Sequence, residues 1–89
     1  QVRTNVEAAN ENIRSVLREV AAQGRVNIVI DPSVQGNVTL SMRNVTVNQA
    51  LQALATMANL EIIPQPGNVF LFIDRTMAVQ KHMHRQQST

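Results

Sequence analysis

Hydrophobic positions along the chain follow one pattern that occurs twice, 34 residues apart. In each copy, apolar residues recur at i, i+3, i+4, i+7 and i+8, which places them on one stripe of an α-helix. A break at Gly24 or Asn59 follows, and then a short β-branched run that is typical of a strand. The helical stripes are Ile13, Val16, Leu17, Val20 and Ala21 in the first copy, and Val47, Ala50, Leu51, Leu54 and Ala55 in the second. The pattern therefore predicts two helix–strand units of matched length.

Polar residues indicate where each predicted helix begins and ends. We expect Asn10 to cap the first helix, and Gly24 to supply the left-handed residue that ends it. Thr46 and Gln49 match the capping-box pattern at the start of the second helix. Asn59 takes the place of glycine as the stop of that helix, because asparagine also tolerates the left-handed region.

Five short segments around the helices have the pattern of strands. They cover residues 2–8, 26–30, 38–42, 61–64 and 69–73. The last two should form a hairpin around Gln65-Pro66-Gly67-Asn68, because proline followed by glycine suits a type II turn. Two helices with one apolar face each can bury those faces only against sheets. We therefore predict a compact α+β domain with the order β-α-β-β-α-β-β.

Composition limits the chain to one small domain. Its 89 residues suffice for a single modest core, and the hydrophobic content of 44% is typical of a folded protein. After Asp74 the sequence becomes polar, so we divide the chain into a domain at 1–74 and a polar linker or frayed helix at 75–89. Because the chain starts at Gln1, without methionine or a signal peptide, we expect it to be an excised or processed segment.

The sequence contains no recognisable catalytic or metal-binding motif. It has no cysteine, which excludes disulfides and thiol chemistry. His82 and His84 lie two residues apart and would point to different sides of a helix, and no third ligand is near them in sequence. Neither a nucleophile elbow nor an HExxH motif nor a phosphate loop occurs. We expect no enzymatic activity, no cofactor and no bound metal.

Nucleic-acid binding is an alternative, because KH domains have a similar size and mix of elements. A KH module clamps its ligand with a GXXG loop, and the three glycines of this chain lie far apart. Arg14 and Arg18 share the first helix with Glu11 and Glu19, so the net charge of +2 does not predict a basic face. We expect no nucleic-acid partner and keep a KH-like binder as the alternative from another functional class.

The ordered series of residues resembles the N-terminal domain of secretins. The resemblance covers about residues 2–74, and the spacing of the whole series is more specific than any one segment. The segments that carry it are residues 12–17, 26–34, 36–40, 44–46, 49–51, 59–60 and 67–73. This short domain is shared by secretins and TonB-dependent receptors, and the segment Gly36-Asn37-Val38-Thr39-Leu40 followed by Gln49-Ala50-Leu51 favours the secretin branch. One departure is Asn59, where family members commonly carry glycine.

The resemblance implies both a fold and a function. In this family two helices pack between a two-stranded and a three-stranded sheet. Secretins form gated outer-membrane channels for protein secretion or type IV pilus biogenesis, and their N-terminal domains form periplasmic rings. The resemblance implies a non-catalytic periplasmic domain whose partners are other secretin subunits and inner-membrane platform or pilus-assembly proteins. Its contact with a membrane would be only through the rest of the protein. In the receptor branch, the alternative, the same fold is a signalling domain that contacts an anti-sigma regulator.

Exposed strand edges are the candidate partner-binding surface, because small sheets leave backbone groups unpaired at their edges. The candidate edges are residues 2–6, 38–42 and 69–73, and the sequence leaves open which of them is the binding edge. Nearby arginines would add charge at the rim, which sets orientation more than affinity. The candidate contact residues are Val2, Thr4, Val6, Val38, Thr39, Leu40, Ser41 and Met42.

Truncating a leucine in either predicted stripe tests whether that stripe faces a core. We expect Leu17→Ala and Leu51→Ala each to lower the free energy of unfolding by about 2–5 kcal/mol, as buried leucines do. Urea denaturation of the 89-residue chain measures this loss. A loss below about 0.5 kcal/mol, the range of ordinary surface substitutions, would contradict the assignment of that stripe.

Overall fold

A computed structural model describes residues 3–78 of the chain. The elements are β1 (Arg3–Asn12), α1 (Ile13–Gly24), β2 (Asn27–Ile30), β3 (Asn37–Thr46), α2 (Val47–Met57), β4 (Leu60–Gln65) and β5 (Val69–Asp74). The predicted α+β class and order of elements are confirmed. Residues 75–78 are helical, and Val2, His82, His84 and the rest of the predicted tail lie outside the described residues.

Two helices form the middle layer of the domain, with one sheet on either side. β1 and β3 pair antiparallel in a two-stranded sheet. The other sheet has the order β2-β5-β4, with β5 parallel to β2 and antiparallel to β4. All ten residues of the two helical stripes are buried. The arrangement of two helices between a two-stranded and a three-stranded sheet, which the resemblance implied, is therefore present.

The ends of α1 differ from the prediction. Asn12, and not Asn10, is the N-cap, and its Oδ1 accepts a hydrogen bond of 2.9 Å from the backbone N–H of Arg14. Asn10 lies within β1, which continues directly into the helix. The left-handed residue at the C-terminus is Arg25, with φ of 56°, and Gly24 is the last residue of the helix. The predicted roles of Asn10 and Gly24 were wrong.

Close packing of the two helices explains why position 24 is a glycine. A Cβ atom at Gly24 would lie 2.7 to 2.9 Å from side-chain carbons of Val47, the first residue of α2. Contacts this short force the neighbouring atoms to move. The missing side chain therefore lets the end of α1 approach the start of α2.

The start and end of α2 follow the prediction. Thr46 Oγ1 accepts from the backbone N–H of Gln49, and Gln49 Oε1 accepts from the backbone N–H of Thr46, both at 3.0 Å. These two bonds form the predicted capping box. Asn59 has φ of 58°, as expected of a residue that stands in for glycine after a helix.

The sequence repeat is also a repeat in the structure. Helices begin at Ile13 and Val47, 34 residues apart, and their caps are Asn12 and Thr46. Left-handed residues recur at the same spacing, as Asn10 and Asn44 with φ of 55° and as Arg25 and Asn59 with φ of 56° and 58°. The unit β1-α1-β2 therefore corresponds, element by element, to the unit β3-α2-β4.

An approximate two-fold axis relates these two units. The strand pair Arg3↔Thr46 becomes Asn12↔Asn37 when the units are exchanged, and both pairs exist. In the other sheet, Ile28 pairs with Phe70 and the corresponding Ile62 pairs with Phe72. The axis thus passes through β5 between these two phenylalanines, and β5 itself has no counterpart.

Replacing Gly24 with alanine tests the close packing of the helices. We expect Gly24→Ala to lower the free energy of unfolding by about 1–3 kcal/mol, the usual cost of overpacking, although alanine favours a helix by about 1 kcal/mol. Urea denaturation measures the loss. In a Val47→Ala background the same change should cost less, because the methyl groups that the new Cβ meets are gone. An equal cost in both backgrounds would contradict this explanation.

Candidate protein-interaction site

The two-stranded sheet contains every candidate contact residue that the structure describes. Within residues 3–78, β1 and β3 are each other's only strand neighbours, so each strand has an outer edge. The third candidate edge, at residues 69–73, was wrong, because β5 is the central strand of the other sheet. The hairpin with β4 was predicted from its turn. The parallel pairing of β5 with β2 was not predicted, because no short turn connects these two strands.

Side chains of the two-stranded sheet alternate between the helix layer and solvent. Thr4, Val6 and Val38 are buried, and Leu40 and Met42 are half-buried. Among the described candidate residues, Thr39 and Ser41 have exposed side chains. A partner could therefore contact Thr39 and Ser41 through their side chains, and the other five through the backbone of an outer edge. The inward group is Thr4, Val6, Val38, Leu40 and Met42, and the outward group is Thr39 and Ser41.

A short regular ladder lies at the middle of this sheet. Val6 pairs with Met42, Glu7 with Ser41 and Ala8 with Leu40. At its centre, Ser41 Oγ donates a hydrogen bond of 2.9 Å to Glu7 Oε2 across the exposed face. This outer face is polar, because Asn5, Glu7, Thr39, Ser41 and Arg43 are all exposed.

A β-bulge interrupts the ladder on each side of this regular segment. The register shifts between Thr4 and Val6, and again between Ala8 and Glu11. Asn10 and Asn44 adopt the left-handed conformation at the two irregular positions. Each is held by the opposite strand in the same way, because Asn10 N–H donates to Thr39 Oγ1 and Asn44 N–H donates to Asn5 Oδ1, both at 2.8 Å.

The bulges limit how a partner strand can pair with this sheet. Bulges bend and twist a strand, and natural proteins use them to restrict pairing at edges. The uninterrupted stretches are residues 6–8 of β1 and residues 40–42 of β3. The sequence prediction missed the bulges, although Asn10 and Asn44 recur at the 34-residue spacing of the repeat.

Polar contacts hold the start of β1 in place. The hydroxyl of the buried Thr4 donates to Oε1 of Gln23 on α1. Arg3 Nη1 donates to the backbone carbonyl of Asn44 at 2.9 Å, next to the bulge in β3. The start of β1 is therefore held both to α1 and to the neighbouring strand β3.

The described residues bring together no group of three or more potential metal ligands. Within the same part of the chain, no helix is long and apolar enough to cross a membrane. The chemistry that the two-stranded sheet offers is that of backbone edges and a polar face.

Comparisons with known proteins find a family model and relatives that include secretins. The family model described as "GspD-like, N0 domain" matches residues 6–70. The type IV pilus biogenesis and competence protein PilQ of Neisseria gonorrhoeae is 36% identical over 69 residues, which is 78% of this chain and 9% of that protein. The chain thus spans less than a tenth of the length of this curated relative.

Two solved structures have the same fold. The V. cholerae type IV competence pilus secretin PilQ matches with a TM-score of 0.79 and 24% identity, over 93% of this chain and 20% of that one. The N0 domain of the type II secretin from enterotoxigenic Escherichia coli matches with a TM-score of 0.72 and 18% identity, over 83% of this chain and 96% of that one.

Removing the side-chain acceptor of one bulge tests its contribution to the sheet. We expect Asn5→Ala to lower the free energy of unfolding by about 0.5–1.5 kcal/mol, because the Asn44 N–H loses its partner. Thr39→Val, which removes the corresponding acceptor of the other bulge, should cost a similar amount. Chemical denaturation measures both, and Ser15→Ala on the exposed face of α1 is the control. A loss no larger than that of the control would contradict a role for the bulge acceptors.

Proposed function

The chain belongs to the GspD-like N0 domain family, which comprises N-terminal domains of secretins, and on this premise we propose that it is a periplasmic interaction module of an outer-membrane channel. N0 domains are structural and non-catalytic, so the prediction of no enzymatic activity is confirmed by the family. In the proposed role, the domain assembles into a ring with other subunits of the same secretin. It also docks an inner-membrane platform or pilus-assembly protein.

The observation that supports docking is the pair of outer edges on the two-stranded sheet. Backbone groups along residues 6–8 and 40–42 lie between the bulges, on strands with no further strand neighbour among residues 3–78. Such edges can accept a strand from a partner. The exposed Ser41 and Arg43 add polar contacts beside the β3 edge.

Among the systems that use secretins, we favour type IV pilus biogenesis. The support is the 36% identity with the gonococcal PilQ, which is named for type IV pilus biogenesis and competence. A receptor signalling domain, the alternative in the same fold family, has less support, because the matching family model is that of the N0 domain. The KH-like alternative has no GXXG loop in the sequence.

Site-specific photo-crosslinking in the full-length secretin of living cells tests the docking surface. A photoreactive amino acid is placed at Ser41 or at Arg43 on β3, and at Glu19 on the exposed face of α1 as the matched control. We expect the two β3 positions to crosslink to a neighbouring secretin subunit or to an inner-membrane protein, and Glu19 to give much less product. Mass spectrometry identifies the crosslinked partner.

Two results would count against the proposal. Equal crosslinking at all three positions, or none at Ser41 and Arg43, would exclude the β3 edge as the docking surface. A crosslink to an anti-sigma regulator would support the receptor alternative instead.

A further inference from the structure

The start of α2 borders an apolar groove between this helix and the three-stranded sheet. The groove has a volume of about 350 Å³. Two exposed amide side chains, Asn48 and Gln52, line it from the helix. The rest of its lining is apolar and consists of Val26, Val47, Leu51, Ile62, Phe70 and Phe72.

The corresponding place beside α1 is covered by a loop of the chain itself. Residues 31–36, which connect β2 to β3, cross the first turn of α1. The backbone N–H of Ile13 donates to the carbonyl of Gly36 at 2.9 Å. Arg14 Nη1 donates to the carbonyls of Asp31 and Val34, each at 3.4 Å. From this loop, Val34 enters the hydrophobic core and is fully buried.

Burial of the corresponding residues agrees with one covered site and one open site. Ile13 and Leu17 of α1 are both 0% exposed, whereas Val47 and Leu51 of α2 are both 5% exposed. Of the two phenylalanines that line the groove, Phe72 is buried and Phe70 is half-buried, so Phe70 is the one that offers apolar surface to an occupant.

The groove is open because the segment after β4 takes a different path from the segment after β2. After β2, the chain crosses α1 before it enters β3. After β4, it turns at residues 66–68 and enters β5, which lies between β2 and β4 in the sheet. No segment of residues 3–78 therefore crosses the start of α2 as residues 31–36 cross α1.

We propose that this groove binds a short segment of a partner protein through one aliphatic side chain of about the size of valine. The covered site shows the form of the occupant, a bent segment that inserts Val34 and is held at its backbone carbonyls. Asn48 corresponds to Arg14 in the repeat, and its amide can donate to carbonyls of the bound segment. An apolar anchor in a groove with a few polar groups at its rim is a common mode of recognition.

This groove is separate from the edges of the two-stranded sheet. Its residues belong to α2 and the three-stranded sheet, apart from Val26 just before β2, and none belongs to β1 or β3. The inference rests on the proposed function only in taking the domain to be a protein-interaction module.

A peptide copied from the covering loop is a direct probe of the groove. The acetylated and amidated hexapeptide Asp-Pro-Ser-Val-Gln-Gly, which has the sequence of residues 31–36, is titrated into the 89-residue chain. NMR spectra of the methyl groups report binding. We expect saturable shifts at Val47, Leu51 and Ile62. The same peptide with serine in place of valine should bind at least about tenfold more weakly, because the apolar anchor is lost.

A matched pair of variants locates the bound peptide. Gln52→Trp places a large side chain at the rim of the groove, and Thr56→Trp places the same side chain one turn further along the exposed face of α2. We expect the first to abolish binding and the second to retain it. If neither the parent chain nor Thr56→Trp shows saturable shifts, or if the serine peptide binds equally well, the proposal is overturned.

Other occupants would give different results. Shifts of the same methyl groups that depend on protein concentration, without peptide, would identify a second copy of the chain and overturn the proposal. Peptide-induced methyl shifts confined to Thr39 and Leu40 of β3 would overturn it as well, because they would place the peptide at the sheet edge. Peptide binding in the groove together with failed crosslinking at Ser41 would support the groove while excluding the β3 docking edge.

Discussion

Burial of the helix layer on both of its sides is the interaction on which this domain depends. The two-stranded sheet is marginal alone in water, and the three-stranded sheet needs its apolar face covered. The two helices are also too short to be stable as isolated helices. Each helix contributes a stripe of five buried residues, and the sheets contribute Val6, Val38 and Phe72 to the same core. Each layer is therefore stable only because it packs against another.

The approximate two-fold axis determines which surfaces the domain presents. It gives the two-stranded sheet two equivalent edges and two equivalent bulges, each stabilised by a side chain from the opposite strand. β5 breaks the symmetry, because it lies on the axis and has no counterpart in the repeat. The loop at residues 31–36 breaks it again, since it covers only one of the two helices. The two edges of the two-stranded sheet are thus alike, whereas the two helices differ in whether a loop covers their first turn.

The sequence predicted the local features of the fold and missed most of the distant contacts. The helical stripes, the Thr46 capping box and the turn at Gly67 depend on residues close in sequence, and all are present, with φ of 83° at Gly67. The pairing of β2 with β5 depends on residues about 40 apart, for which a single sequence gives no local signal. Gly24 was assigned to a left-handed turn because its actual constraint, the side chain of Val47, lies on another helix. For the candidate site, the alternating strand at residues 38–42 was identified, but its bulges arise from the antiparallel partner.

The central position of β5 has a consequence for the synthesis of the chain. β2 is complete at Ile30, but its strand partner begins only at Val69. During synthesis, the apolar residues Ile28, Val29 and Ile30 of β2 therefore remain unpaired until most of the domain has been made. Parallel pairing between distant segments forms slowly, and unpaired apolar strands are prone to aggregate in the meantime. Among residues 3–78, the strand that is made last is thus the one that protects the earliest strand of its sheet.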